Sequence, residues 1–242
     1  MKNMRSTFLF VLIATLFAFS GCNEDEDLNA SPEATKIKIT EKLDKLDLPL
    51  AMRNSNHQYA QEAVGYVEEV KNIASYFDYF EIPDDAERTE LKSTLNQEEY
   101  YWTDGQTEIW VIYTETSGGY TWQIDVDMGY GRQKYLYAEE DKDGNYGSMK
   151  VYDSTGETSE WFFQYEWTFN SAGDAELIWE FADGSMKYEI KSNIDYSGYA
   201  RIFMSGVLFY DFVWNSDGSG SVTMYDDGGG VLYTEGWTVA DL

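Results

Sequence analysis

No proline occurs between residues 84 and 242. Proline removes a backbone donor and breaks both helices and ladders, so this long stretch keeps every backbone N–H free for pairing. Within it the apolar residues recur with a period of two. Tyr120, Trp122, Ile124, Val126 and Met128 alternate with Thr121, Gln123, Asp125 and Asp127. Trp161, Phe163, Tyr165, Trp167 and Phe169 are set against Glu160, Gln164, Glu166 and Thr168. Met186, Tyr188 and Ile190 alternate with Lys187, Glu189 and Lys191. Alternation with one wet face predicts antiparallel strands. Turn pairs recur between them, among them Asp104-Gly105, Asp143-Gly144, Asp183-Gly184 and Asp217-Gly218. The pattern predicts an antiparallel β-meander domain over 97–242, of about twelve strands joined mainly by hairpins.

Composition changes near residue 97. All eight Trp lie at or beyond Trp102 and 18 of the 20 Gly at or beyond Gly105, whereas Pro32, Pro49 and Pro83 all precede the change. Residues 32–96 read as a helical segment. Ile39, Leu43, Leu46 and Leu50 make a weak stripe that Pro49 cuts short. Tyr59, Ala63, Tyr66, Val70, Ile73, Phe77 and Phe80 step by fours and threes, the spacing of one helical face. Ser55 and Gln58 offer a capping box and Pro83 follows the end, so one long helix is expected over about 55–80. His57, the only histidine, has no partner at a telling spacing and is expected at the surface. The apolar face of so large a sheet must be hidden and its edges managed. The expected architecture is mostly β with an N-terminal α segment, the meander curled into a barrel or half-barrel and packed on the long helix as one domain.

The meander carries a loose internal repeat. Tyr137 to Gly156, Trp167 to Gly184 and Trp214 to Gly228 each run aromatic, turn, strand, turn, which points to duplicated hairpins. A faint likeness to MORN-type repeats lacks their fuller Tyr-Gly-Trp-Gly spacing and carries nothing further.

The N-terminus reads as an address. Lys2 and Arg5 precede an unbroken apolar run from Phe8 to Phe19, which at about 1.5 Å per residue is too short to cross a bilayer as a helix. A signal peptide over 1–21 is expected. Phe19-Ser20-Gly21-Cys22 resembles the lipobox of bacterial lipoproteins, with Phe where Leu is usual. The resemblance implies cleavage before Cys22 and acylation of its sulfur and new amino group, hence a membrane anchor. Residues 22–31 then form a lipidated tether. Its Glu24, Asp25, Glu26 and Asp27 are similar to the acidic export signal that follows the lipidated cysteine in surface lipoproteins of Bacteroidota-type bacteria. The implied location is the outer membrane, facing the cell exterior or the periplasm. A membrane-spanning barrel is disfavoured by that lipobox and by wet faces bearing Lys, Glu and Asp.

Charge narrows the partners. The net charge is −27, and without Lys2 and Arg5 the 15 remaining basic residues face 44 acidic ones, −29. Such a surface repels phosphate backbones, so nucleic acid is excluded as a partner. One Cys and one His leave no disulfide framework and no His-rich zinc site. Glu139, Asp141, Asp143 and Gly144 match an EF-hand loop only loosely, and Lys150 stands where the bidentate Glu belongs, so a hairpin turn is expected there. No residue is assigned to catalysis and no cofactor or metal is implied. Paired carboxylates leave a glycoside hydrolase as a distant reading, because such chemistry needs two acids held together in a cleft. The Tyr and Trp on the strands either fill the sheet interior, stack on sugars, or line a pocket for an apolar ligand. The expected function is a non-catalytic binding or carrier module for an apolar or glycan ligand; a surface structural or adhesion protein is the alternative. A hollow interior favours the carrier, and a filled one with an exposed aromatic patch favours glycan binding or adhesion.

Overall fold

The computed structural model describes residues 37–43, 46–75, 82–89, 97–153 and 160–241. The expected signal segment, Cys22 and the acidic run Glu24 to Asp27 lie outside the described residues.

Thirteen strands form one antiparallel sheet in sequence order. They are β1 (Glu87–Thr89), β2 (Gln97–Asp104), β3 (Thr107–Glu115), β4 (Gly119–Asp127), β5 (Gln133–Asp141), β6 (Tyr146–Tyr152), β7 (Trp161–Phe169), β8 (Ala175–Phe181), β9 (Met186–Ser192), β10 (Gly198–Met204), β11 (Val207–Trp214), β12 (Gly220–Tyr225) and β13 (Val231–Trp237). Twelve fall in the segment expected to hold them. The thirteenth, β1, belongs to the stretch read as helical; it pairs with β2 through Arg88 opposite Tyr100, and the Arg88–Glu98 ion pair fastens it. Short connections allow only neighbour pairing. The sheet does not close, since β1 and β13 pair only inward. Register shifts at Ile124/Asp125, Val151/Tyr152, Ile202/Phe203 and Met224/Tyr225 add bulges, which increase twist and curl the sheet.

Among the described residues three α-helices pack on the inner face: α1 (Ile39–Leu43), α2 (Leu50–Arg53) and α3 (Gln58–Ser75). The buried side of α3 carries Ala60, Ala63, Val67 and Val70. Two alanines let its backbone approach the sheet, while Tyr66 leans on Tyr188 and Phe212 at ring separations of 5.8 and 5.6 Å. The side chain of Ile73, and Phe77 and Phe80 as whole residues, lie outside the described residues. The Ser55–Gln58 capping box does not form. Ser55 Oγ accepts the His57 N–H at 2.9 Å, and Gln58 donates to Glu62 instead. Pro49 does end the first stripe, but it turns Leu50 outward (65% exposed) and leaves Leu48 and Met52 to fill the core. His57, expected at the surface, is partly covered. Its ring lies half-buried, 6.0 Å from that of Trp237, with Nδ1 enclosed and unbonded among the described residues.

The repeat has a physical unit, a hairpin that starts on a small residue and ends on a tryptophan. Gly147 faces Trp167, Gly198 faces Trp214 and Gly220 faces Trp237 across neighbouring strands. In each pair the indole occupies the space a Cβ would need. Trp214 Nε1–H donates to the Tyr196 carbonyl at 2.9 Å and Trp237 Nε1–H to the Gly218 carbonyl at 2.7 Å. Those carbonyls belong to matching turns, in which Asn193 and Asn215 receive the N–H of Tyr196 and Gly218, both residues at positive φ.

Candidate functional site

The inner face is filled. Trp167, Trp214, Trp237, Tyr165 and Phe212 are all essentially inaccessible, packed in one cluster with the helices. Among the described residues two open depressions lie at the surface: one of about 340 Å³ between α2 and the Tyr196 and Asp217 turns, the other beside Val213 and Trp237. Neither enters the space between helices and sheet.

The outer face is where aromatic rings meet water. The bulge at Ile124/Asp125 places Lys134 opposite Asp125, and the bulge at Val151/Tyr152 places Tyr152 opposite Trp161. The second corrects the sequence expectation. Strict alternation groups Trp161 with inward Phe163 and Tyr165, but the extra residue in β7 rotates Trp161 to the outside. There Lys150 Nζ lies 5.9 Å from the Trp161 ring centroid. Lys134 Nζ sits 5.7 Å from the Tyr137 ring and 5.4 Å from the Tyr152 ring. Tyr137 stands directly opposite Lys150. Burial, with Glu139 and Tyr152 nearby, raises the Tyr137 phenol above its ordinary range, and burial raises that of Tyr152. Both hydroxyls stay protonated at neutral pH and available as donors.

Beside this group the Arg132 guanidinium lies 4.7 Å from the Trp110 ring, which in turn is 5.3 Å from Tyr101. Arg132 bonds Asp125 Oδ2 and Glu99 Oε1, each at 2.8 Å, and Gln123 also donates to Asp125. Alternation put Asp125 on the wet face, yet it is only 6% exposed and Glu99 8%, because the guanidinium covers both. Arg132→Met strands these carboxylates and should cost about 1–3 kcal/mol, less than a fully buried pair because Arg132 is partly exposed. Urea melts check this; adding Glu99→Gln and Asp125→Asn should recover part of the loss.

From Tyr101 on β2 to Trp161 on β7 the two groups lie along one strip of the outer face, joined at β4 by Asp125, which Arg132 bonds and Lys134 stands opposite. Six strands at about 4.8 Å spacing make it roughly 24 Å long. Rings with polar neighbours in an open strip suit an extended chain of several sugar rings, whose C–H faces stack on aromatics while hydroxyls bond to the rim.

The other sequence candidates scatter. Glu139 points outward toward Ser148, Glu140 points inward, and Asp141 accepts the backbone N–H groups of Asn145 and Tyr146 to close its own hairpin. Lys150, at the position an EF-hand gives to glutamate, lies against Trp161. The acids closest to a pair, Glu99 and Asp125, are bridged by Arg132. No protein-family model matches the chain, and no curated protein matches it.

Proposed function

We propose that this chain is a lipid-anchored, non-catalytic binding module that holds a glycan on the outer face of its sheet. One observation carries the reading: the inner face is filled, while a bulge in β7 that the alternation of the sequence does not contain turns Trp161 outward to join Tyr137 and Tyr152 on the outer face. The filled interior favours this over a carrier of apolar ligands. Bulges bend a strand and re-aim its side chains, and they concentrate beside functional sites. The anchor rests on the Phe19-Ser20-Gly21-Cys22 motif, and Glu24 to Asp27 supply the acidic run for display at the cell exterior.

Two experiments test the two halves. A glycan array, followed by calorimetry on the ligands found, should show binding that Trp161→Ala with Tyr152→Ala weakens at least about tenfold, the loss of two stacked rings. Binding undiminished in that variant, or no binding on the array, overturns the reading of the face. Mass spectrometry of membrane-extracted protein should find an acylated Cys22 as the mature N-terminus, and Cys22→Ser should leave the precursor uncleaved. A free thiol on the mature chain overturns the anchor.

A further inference from the structure

We infer that the ligand of the outer face is an acidic glycan, one bearing carboxylate or sulfate groups that meet Lys134 and Lys150. The inference rests on the glycan reading above and names the class of glycan.

The chain has 44 acidic residues for 17 basic ones, so acidic partners are abundant for any lysine on its surface. Elsewhere on the outer face Arg132, Lys187 and Arg201 take them, and Lys191 stands directly opposite Glu176. Lys187 bonds Glu189 at 2.7 Å and Arg201 bonds Asp211 at 3.1 Å, although each also lies against a ring, Phe203 and Tyr199. Arg132 bonds two carboxylates. Lys134 and Lys150 differ. Among the described residues neither reaches a carboxylate within ion-pair distance, and their ammonium groups rest on Tyr137, Tyr152 and Trp161. Their nearest acid across the strands, Asp125 opposite Lys134, is already held by Arg132 and Gln123. Lys150 stands directly opposite uncharged Tyr137 and Gln164, and the glutamates two residues along those strands, Glu139 and Glu166, accept from Ser148 and Gln164.

Stacking holds the lysine stems in place without neutralising the heads, so two preordered positive charges stand among the rings that would carry sugar. An ammonium that already lies on its ring loses little freedom when it meets an anion. The acidity of the rest of the chain does not prevent this. At physiological salt, fields between exposed charges fade over about 8 Å, so a ligand group in contact with the lysines is shielded from acids farther off than that. A neutral glycan would leave both ammonium groups with no anionic partner. An acidic one gives each lysine a charge-assisted hydrogen bond, roughly twice as strong as a neutral one.

The test uses the mature chain against polygalacturonate, alginate, hyaluronan and chondroitin sulfate. Fully methyl-esterified polygalacturonate, dextran and galactan serve as neutral counterparts, with binding read by calorimetry and affinity electrophoresis. Acidic polymers should bind at least about tenfold tighter than neutral ones, with affinity falling as salt rises. Lys134→Gln with Lys150→Gln should abolish that preference and flatten the salt dependence, while its urea midpoint stays near that of the parent. Trp161→Ala should weaken binding with the salt dependence kept. Neutral polymers binding as well as acidic ones, with the lysine variant unaffected, overturns the acidic class and leaves the glycan reading standing. Failure of every polymer to bind overturns both. Binding to vesicles containing phosphatidylglycerol, lost in the lysine variant while all polymers fail, reassigns the lysines to an anionic lipid surface and likewise overturns the inference.

Discussion

Trp214→Ala is expected to cost about 3–5 kcal/mol, the range for removing a fully buried large aromatic. Trp214 is 1% exposed, at the end of β11, and its ring lies over Gly198 on β10. Removing it opens a cavity at the sheet surface and also orphans the Tyr196 carbonyl that its N–H satisfies. Gly198→Ala attacks the same contact from the other side. The new Cβ would meet the Lys191 carbonyl oxygen and stand 2.8 Å from Trp214 Cζ2, closer than two carbons pack. Overpacking of this kind costs about 1–3 kcal/mol. The two residues touch, so their effects should not add. Gly198→Ala should cost less in the Trp214→Ala background, where only the Lys191 carbonyl still obstructs the methyl. Urea denaturation of the four chains measures the coupling, with Glu69→Ala as an exposed control within about 0.5 kcal/mol. Strict additivity would mean that the strands part far enough to make the Gly–Trp contact irrelevant.

Stability should also fall by up to about 3 kcal/mol as pH rises from 4.5 toward 7, through Glu140 alone. This glutamate is 3% exposed, on the inner face of β5, where its two oxygens accept the backbone N–H of Lys38 at 3.1 and 3.0 Å. Burial pushes its carboxyl up to about 7, outweighing the Lys38 N–H and the Lys38 and Lys42 charges that pull it down; Asp141 adds to the rise. Because the folded value exceeds the unfolded one, the folded state binds the extra proton between the two. The stabilisation is complete below about 4.5 and lost as pH passes through about 7. Glu140→Gln keeps an acceptor for Lys38 but cannot ionise. The difference between wild type and variant, followed by urea midpoints from pH 4.5 to 8, should therefore widen with pH in favour of the variant. Parallel profiles would show that the ionised carboxylate is well solvated in the fold. Lys38 helps enclose this carboxyl, so above about 7 a local opening of residues 37–43 that lets water reach the ionised group should become easier, visible as a larger opening constant in amide exchange at Ile39 and Leu43.

The outer-face site was legible only in part. Tyr and Trp on strands were readable as either core or sugar platform, and the residue types alone left that open. What turned Trp161 away from the core was one extra residue in β7, a register shift that reverses the side a side chain faces. Asp125 went the other way: a carboxylate on a wet face became covered because Arg132, seven residues along, folds back over it. Leu50 turned out to water and His57 became partly covered for the same kind of reason. A helix end can present either side to the sheet, and the docking of Trp237 against His57 comes from a strand 180 residues away.

Other features needed no tertiary knowledge. Period-two alternation in a proline-free stretch leaves the chain one way to bury its rings and pair its backbone, which is an antiparallel meander. Turn pairs between the strands impose neighbour pairing, and the apolar stripe of residues 59–70 requires a helix against that sheet. These are local consequences of covalent geometry and of which side chains water rejects. The tertiary structure alone decided the bulges, the filling of the inner face, the unclosed edge between β1 and β13 and the isolation of Lys134 and Lys150 from acid partners. Each depends on the distance between groups remote in sequence, and a one-residue slip in register is enough to change it.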